Sequence, residues 1–222
     1  METLSLITTK HGSSEPTLRQ LSRMGRGSLN VQAMAYPGMK AVVSIIKKVI
    51  ETYRAKQFVR DKAQQLTKNI ARNKRTGHPD MRNFDAITET IYDYVVDKTI
   101  YTRDPNGIER LQMPDTTMLL GSGDCDDMVI LSGALLESVG VPTRIKLLGE
   151  QQNTFTHILL EYKSNGVWKS FDPTLALYIG YKIPPGRIKA QKIVPITRPR
   201  PVLAGMPPSS PLKKHTGSSY IF

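Results

Sequence analysis

Apolar residues recur at helical spacing in three stretches of the chain. Over residues 39–73 they follow one another at steps of three and four, while Lys and Arg fill the other positions. Such spacing places side chains on one face of an α-helix, so the stretch is predicted to be one long helix or two shorter ones. Asp80–Lys98 has the same pattern. A third stripe, Met128–Val139, ends at Gly140, a residue typical of helix C-termini.

Strand patterns follow the third helix. Arg144–Leu148 and His157–Tyr162 are largely aliphatic, and Val167–Phe171 follows the turn signal Ser164-Asn165-Gly166. An Asn-Gly pair between two apolar runs predicts a two-residue β-hairpin. Leu111–Asp115 is predicted to be a loop. The middle of the chain therefore runs through three helices and then antiparallel strands, as in an α+β domain.

The two ends of the chain lack this periodicity. The first residues are polar and rich in Ser, Gly and Arg, so they are predicted to be a flexible arm with one short helix near Thr17–Met24. Beyond Tyr181 the chain holds 8 of its 15 prolines, and proline has no N–H for a ladder. That segment is predicted to be an extended, docking or disordered tail that forms neither ladder nor helix. The predicted divisions are a flexible basic arm (1–38), a basic amphipathic helical segment (39–76), a core (77–182) and a Pro-rich basic tail (183–222).

Charge follows the same divisions. Residues 1–76 hold 15 Lys and Arg against 4 Asp and Glu, residues 77–182 hold 9 against 15, and residues 183–222 hold 7 against none. Basic arms beside an acidic middle favour an anionic partner, which could be nucleic acid, a membrane surface or an acidic protein. A merely solvated surface explains the charge equally well. No nucleic-acid-binding motif accompanies the charge, so a nucleic-acid role stays an open alternative.

A single cysteine excludes an intrachain disulfide and fits a reducing compartment. The first residues lack the basic region and long apolar run of a secretory signal. No window approaches the roughly 18 apolar residues of a membrane span. We therefore expect a protein that is soluble and intracellular when made.

Three residues form a candidate catalytic set. Cys125 stands where the third helix is predicted to begin, after Gly123 and Asp124, and the free N–H groups of a helix N-terminus lower the pKa of a thiol. His157 opens one strand of the hairpin and Asp172 ends the other, so both lie at its open end. A carboxylate there can hold the imidazole in one tautomer. The set matches the arrangement of a nucleophile, a base and an orienting group.

Structural interpretations of the same residues stay open. A lone cysteine is most often a small buried apolar residue, a strand histidine can be a satisfied core group, and Asp172 before Pro173 can start a turn. Asp124, Asp126 and Asp127 are explained more simply as a helix cap and dipole partners than as metal ligands. A zinc site would need more Cys or His ligands. Neither a metal nor a cofactor is predicted.

Four segments follow one another in a characteristic order. They are Gly123-Asp124-Cys125-Asp126-Asp127 with the helix that continues through Ala134-Leu135-Leu136, Gly140-Val141-Pro142-Thr143-Arg144, His157, and Trp168-Lys169-Ser170-Phe171-Asp172-Pro173-Thr174. Over roughly Phe84 to Thr174 this order resembles the transglutaminase-like superfamily. The resemblance implies a papain-like core with the cysteine on a helix N-terminus packed on a small antiparallel sheet, here with extended terminal arms. With the preceding Leu111-Gln112-Met113-Pro114, the Asp-rich segment is similar to members encoded by tailed bacteriophages and prophages.

This resemblance implies an enzyme in which Cys125 attacks an amide or ester carbonyl, His157 moves the proton and Asp172 orients His157. Gln112 is a candidate donor of the oxyanion hole, together with the Cys125 backbone N–H. The expected substrate is a peptide, protein or peptidoglycan-like amide, and the acyl acceptor is water or an amine. The family includes crosslinkers, peptidases, amidases and inactive members.

A second hypothesis is a virion or assembly protein of a tailed phage that uses the fold as a scaffold. Residues 1–76 and 183–222 would then contact neighbouring subunits, which order such arms. The two hypotheses are compatible, since a particle component can also be a hydrolase. The expected location is the cytoplasm of a bacterial host, with incorporation into the virion under the second hypothesis. A third hypothesis is a nucleic-acid binder that acts through the arms.

Overall fold

The structure, a computed structural model, describes residues 31–35, 38–70, 80, 83–106, 108–175 and 178–197. The helices in these ranges are α1 (Met39–Tyr53), α2 (Gln57–Leu66), α3 (Phe84–Lys98), α4 (Pro114–Leu120) and α5 (Cys125–Ser138). The strands are β1 (Val31–Ala35), β2 (Ile100–Tyr101), β3 (Ile108–Gln112), β4 (Ser122–Gly123), β5 (Thr143–Gly149), β6 (His157–Ser164), β7 (Val167–Phe171) and β8 (Ala190–Pro195). The predicted helix near Thr17–Met24 lies outside the described residues.

Helix α5 is the central element of the core. Every residue from Asp126 to Glu137 is buried, which is typical of a helix that is covered on all sides. Helices α1 to α4 pack against it, and so do strands β5 and β6 of the main sheet. Gly140 follows the helix with a φ of 90°, so the predicted glycine stop is confirmed.

The long apolar stripe predicted for residues 39–73 divides into two helices. Helix α1 ends at Tyr53 and α2 begins at Gln57. The buried face of α1, which includes Ile46 and Ile50, belongs to the same apolar cluster as α5. The basic helical segment predicted for 39–76 therefore supplies part of the core through these two helices.

The main sheet has the strand order β7-β6-β5-β8 and is antiparallel throughout. Asn165 and Gly166 connect β6 to β7 with positive φ values of 50° and 81°, as a tight hairpin turn of this kind requires. The predicted hairpin is confirmed. Alternate side chains on one face join the cluster around α5, and they include Ile145, Leu147, Ile158, Leu160, Tyr162 and Phe171.

Strand β8 corrects the prediction made for the C-terminal tail. Ala190–Pro195 pairs with the full length of β5 except its first residue, from Gly149↔Ala190 to Arg144↔Pro195. The expectation that 183–222 forms no ladder is therefore wrong for this segment. Pro195 stands at the last position of an edge strand, where a missing N–H is tolerated. Residues 198–222 lie outside the described ranges.

Two smaller strand pairs change other predictions. Strand β1 pairs antiparallel with β3, so the end of the predicted N-terminal arm forms a strand, while residues 1–30 lie outside the described ranges. Strand β2 pairs in parallel with β4.

The loop predicted for Leu111–Asp115 is wrong, because Leu111 and Gln112 end β3 and α4 begins at Pro114. Proline favours the first helical position, where no N–H bond is lost.

The contact between α1 and α5 is tight at Gly133. A Cβ atom there would stand 2.7 Å from Ile50 Cδ1. We expect Gly133→Leu to destabilise the protein by about 1–3 kcal/mol, because it overpacks this contact. In a double-mutant cycle with Ile50→Ala, the two changes should cost less together than the sum of their separate costs. Urea unfolding followed by circular dichroism measures each free energy.

The control is Ala86→Leu on the exposed face of α3, which should stay within about 0.5 kcal/mol of the parent. An equal loss for the two leucine variants, or strict additivity in the cycle, would contradict a steric limit at Gly133.

Candidate active site

Reciprocal hydrogen bonds at its N-terminus determine where α5 begins. Asp124 Oδ1 accepts hydrogen bonds from the backbone N–H groups of Asp126 and Asp127, at 3.0 Å and 3.4 Å. Asp127 Oδ2 accepts in return from the Asp124 N–H at 3.3 Å. This is a capping box, and it confirms the interpretation of these aspartates as a cap. It places Cys125 at the first helical position.

Asp127 also connects the helix to β3. Its Oδ1 accepts a hydrogen bond from the Gln112 backbone N–H at 2.7 Å. The Gln112 side chain is buried, and its Oε1 has no hydrogen-bond partner among the described residues. Gly123 allows the close packing, because a Cβ there would lie 2.7 Å from Asp127 Cβ. Gln112 is thus held beside the N-terminal turn of α5, and its role as an oxyanion donor stays a prediction.

The Cys125 thiol is half-buried and lies 3.7 Å from Asp126 Oδ1. Burial raises the pKa of this thiol, and the negative charges of Asp126 and Asp124 raise it further. The backbone N–H of Ile158 acts in the opposite direction. The expectation of a lowered thiol pKa is therefore wrong for this resting arrangement. The positive end of the helix dipole favours a thiolate, but the neighbouring carboxyl groups of Asp126 and Asp124 disfavour its negative charge.

The carboxyl groups of the first turn are themselves perturbed. Burial raises the pKa of Asp124 to about 6, and the negative charge of Asp104 is the second largest cause. Burial also raises the pKa of Asp127 to about 7, and the negative charge of Asp124 is the next largest cause that raises this pKa. Burial and a hydrogen bond with Glu109 raise the pKa of Asp126 well above its ordinary value. Near neutral pH the group therefore retains protons that exposed aspartates would release.

His157 and Asp172 are in direct contact. His157 Nε2 lies 2.6 Å from Asp172 Oδ2. Asp172 is buried, and its Oδ1 accepts from the N–H and hydroxyl of Thr174 at 3.2 Å and 2.5 Å. The Tyr92 hydroxyl donates to the Asp172 carbonyl at 3.3 Å. The carboxylate is thus held from several directions, and His157 Nδ1 is the ring nitrogen that remains for another partner.

The thiol lies against the strand that carries His157. Ile158, whose N–H influences the thiol, directly follows His157 in β6. By strand alternation the His157 side chain belongs to the opposite set from Ile158 and Leu160, which pack in the core with α5. No hydrogen bond joins the Cys125 sulfur to the imidazole in the structure. The structure therefore pairs His157 with Asp172, and it places Cys125 beside Ile158, the residue that follows His157 in β6.

Tyr101 is a neighbour of the thiol that sequence reasoning missed. Strand β2 aligns Tyr101 with Gly123, two residues before Cys125. Burial raises the pKa of the Tyr101 hydroxyl, and negative charge at Cys125, when its thiol ionises, and at Asp124 adds to this effect. Nothing in the dipeptide Ile100-Tyr101 marks it in the sequence, because its position depends on a two-residue parallel pairing.

A cavity of about 440 Å³ lies on the face of the main sheet that points away from α5. Its lining includes Lys146, Leu159 and Glu161, but neither Cys125 nor His157. It is therefore separate from the thiol.

Among the residues that the structure describes, no group of three or more His, Cys, Asp and Glu is arranged to hold a metal ion. In the same part of the chain no helix has the length and apolar character needed to cross a membrane.

Comparison with known proteins agrees with this architecture. Residues 64–173, or 110 of the 222 residues, match the model of the transglutaminase-like superfamily. The predicted α+β fold class is confirmed, and the matched residues cover most of the core predicted for 77–182, where a transglutaminase-like arrangement is expected. No curated protein matches the chain.

Three solved structures are similar to parts of the chain. A candidate protease from Parabacteroides distasonis is 14% identical, with 62% of this chain and 27% of that chain covered and a TM-score of 0.45. A candidate cysteine protease from Cytophaga hutchinsonii is 15% identical, with 75% and 53% covered and a TM-score of 0.42. LapG of Legionella pneumophila is 17% identical, with 61% and 74% covered and a TM-score of 0.37. The chain thus spans less than two thirds of the first two proteins. None of the three is described as a phage protein, so the phage resemblance gains no support here.

The raised aspartate pKa values predict how stability depends on pH. The folded state keeps protons on Asp124 and Asp127 up to a pKa of about 6 and about 7, whereas the unfolded chain releases them near pH 3.9. The folded state therefore binds more protons in this interval, and its stability falls as the pH rises through it. We expect a loss of about 2–4 kcal/mol between about pH 5 and pH 8, measured by urea unfolding.

Asp127→Asn should remove about half of this slope, since residue 127 then no longer titrates. Asp93→Asn, an exposed change on α3, is the matched control and should leave the slope as it is. A stability that is flat or rising over the same interval would contradict the protonated acidic group.

Proposed function

We propose that the protein is a cysteine-dependent enzyme that transfers the acyl group of a peptide or protein amide. Cys125 is the nucleophile, His157 the base and Asp172 the orienting group. The observation that carries the proposal is the 2.6 Å contact between His157 Nε2 and Asp172 Oδ2, at the end of the strand whose next residue adjoins the Cys125 thiol. The match of residues 64–173 to the transglutaminase-like superfamily supports it.

The reaction follows from the roles of these groups. As the Cys125 sulfur forms a bond to the carbonyl carbon, its proton passes to His157 Nδ1. The imidazolium, stabilised by Asp172, gives this proton to the amide nitrogen, the C–N bond breaks and the amine leaves. A water molecule or an amine then attacks the thioester and passes its proton to His157. The S–C bond breaks, and the thiol is restored.

The resting thiol is protonated in this proposal. Its pKa is raised by burial and by Asp126 and Asp124, so a preformed thiolate is not the starting state. His157 must accept the proton as the bond to carbon forms, after a side-chain rotation that moves the sulfur from Asp126 towards the ring. Catalytic hydrogen bonds that are long or absent without substrate often form only in the complex.

Two donors are proposed for the oxyanion. The backbone N–H of Cys125 is among the first of α5, and such groups have no partner within the helix. Gln112 lies next to the same turn, where its backbone bonds to Asp127, and its side-chain amide would be the second donor. Neither group requires a cofactor.

The reactivity of the only cysteine tests the base. We expect His157→Ala to slow alkylation of Cys125 by iodoacetamide about tenfold or more near neutral pH, because no base then removes the thiol proton. Asp172→Asn should slow it less, since the imidazole remains but loses its fixed orientation. Mass spectrometry at timed intervals measures the rates.

His215→Ala is the control and should react within about twofold of the parent, since it changes a histidine outside the proposed set. A His157→Ala variant that reacts as fast as this control would contradict the proposed pair.

Turnover tests the acyl transfer itself. With dimethylated casein and dansylcadaverine, the protein should either release peptides or attach the fluorescent amine to glutamine side chains. Either product identifies the acyl acceptor. Both should fall by about a hundredfold or more in Cys125→Ala, because the thioester cannot form. A product yield that Cys125→Ala leaves intact would exclude catalysis through this thiol. The absence of both products from the parent would count against casein-like proteins as substrates.

A further inference from the structure

Strand β2 has one paired edge and one edge that no described residue pairs. The Ile100 N–H donates to the Gly121 carbonyl at 2.8 Å, and the Thr102 N–H donates to the Gly123 carbonyl at 2.9 Å. Backbone groups of successive residues in a strand point to opposite sides. The N–H and C=O of Tyr101 therefore point away from β4, and no residue that the structure describes bonds to them.

The strand that carries this open edge lies beside the segment that leads into the candidate nucleophile. Tyr101 is aligned with Gly123 in β4, and Cys125 follows two residues later at the start of α5. The electrostatic influence of the thiol on the Tyr101 hydroxyl agrees with this placement. Tyr101 is also 45% exposed and Ile100 is 75% exposed, so both side chains are accessible beside the edge.

A donor and an acceptor on one residue of a free strand edge match the backbone of an extended peptide. A peptide that adds to a strand in this way lies about 4.8 Å from it. Its residues continue at about 3.3 Å each, so a carbonyl a few residues away can reach the neighbouring thiol. Compact amides and glycan-linked amides have no such repeating backbone.

We propose that the Tyr101 edge of β2 binds the substrate backbone as an added strand, so that the substrate is an extended peptide segment rather than a compact amide. This inference rests on the proposed function and narrows its substrate class. Tyr101 is a positioning residue in this arrangement, and its backbone supplies the two hydrogen bonds. Its ring and Ile100 contact alternate side chains of the bound segment.

The experiment uses the full chain and two reagents of the same reactive type. Acetyl-Ala-Ala-Ala chloromethyl ketone carries a peptide backbone, and acetyl-Ala chloromethyl ketone carries little of one. In each case the Cys125 sulfur bonds to the methylene carbon, chloride leaves and the thiol proton passes to His157. We expect the longer reagent to react about tenfold faster or more, because edge hydrogen bonds position it.

Methylation of one backbone nitrogen at a time in the longer reagent supplies the sharper test. One of these methyl groups should reduce the rate to that of the short reagent, because it removes a donor and blocks approach to the edge. This scan needs no change in the protein. In parallel, Tyr101→Pro removes the N–H at this position and should reduce the ratio of the two rates to about twofold or less. Tyr101→Phe keeps the N–H and should preserve about half of the ratio or more.

The outcomes distinguish this inference from the proposed function. Equal rates for the two reagents, with Cys125 still reactive through His157, would overturn the peptide edge and leave the enzyme proposal standing. A faster long reagent that tolerates methylation at every nitrogen would also overturn it, since side chains would then provide the recognition. If Cys125 reacts with neither reagent, nor with iodoacetamide, both proposals fall.

Discussion

The structure depends on the enclosure of helix α5 and on the capping box that sets its first residue. Helices and the main sheet surround the helix from Asp126 to Glu137, so it cannot shift along its axis without disturbing every layer. The reciprocal bonds between Asp124 and Asp127 determine where it begins. Cys125 is therefore held at a single place relative to the sheet, as preorganised chemistry requires.

The same cap creates an unusual setting for the proposed nucleophile, Cys125. A helix N-terminus favours a thiolate, but here buried carboxyl groups raise the pKa of the thiol. The pKa values of the Asp124 and Asp127 carboxyl groups are raised as well. Some of their negative charge is therefore neutralised by protons near neutral pH. In the proposed reaction, a group that accepts the thiol proton is therefore needed before the sulfur can attack. The proposed acceptor is the imidazole of His157, which the buried Asp172 holds at one end of strand β6.

Segments distant in sequence complete this arrangement. The Gln112 backbone of strand β3 bonds to Asp127, and β2 aligns Tyr101 with the segment just before Cys125. Strand β8, from the Pro-rich end of the chain, closes the edge of the sheet at β5. Short strands β2 and β3 thus border the start of the enclosed helix, while β8 extends the main sheet.

Local patterns in the sequence determined the parts of this fold that depend on neighbouring residues. The periodic helices, the Asn165-Gly166 turn, the cap at Asp124 and the pairing of His157 with Asp172 at the open end of the hairpin all follow from spacing. Only the tertiary structure decided the rest. Strand β8 and the pair β2–β4 are short and depend on long-range partners, which a pattern of a few residues cannot specify. The direction of the Cys125 pKa shift likewise depends on burial and on charges from separate segments, and these exist only once the chain has folded.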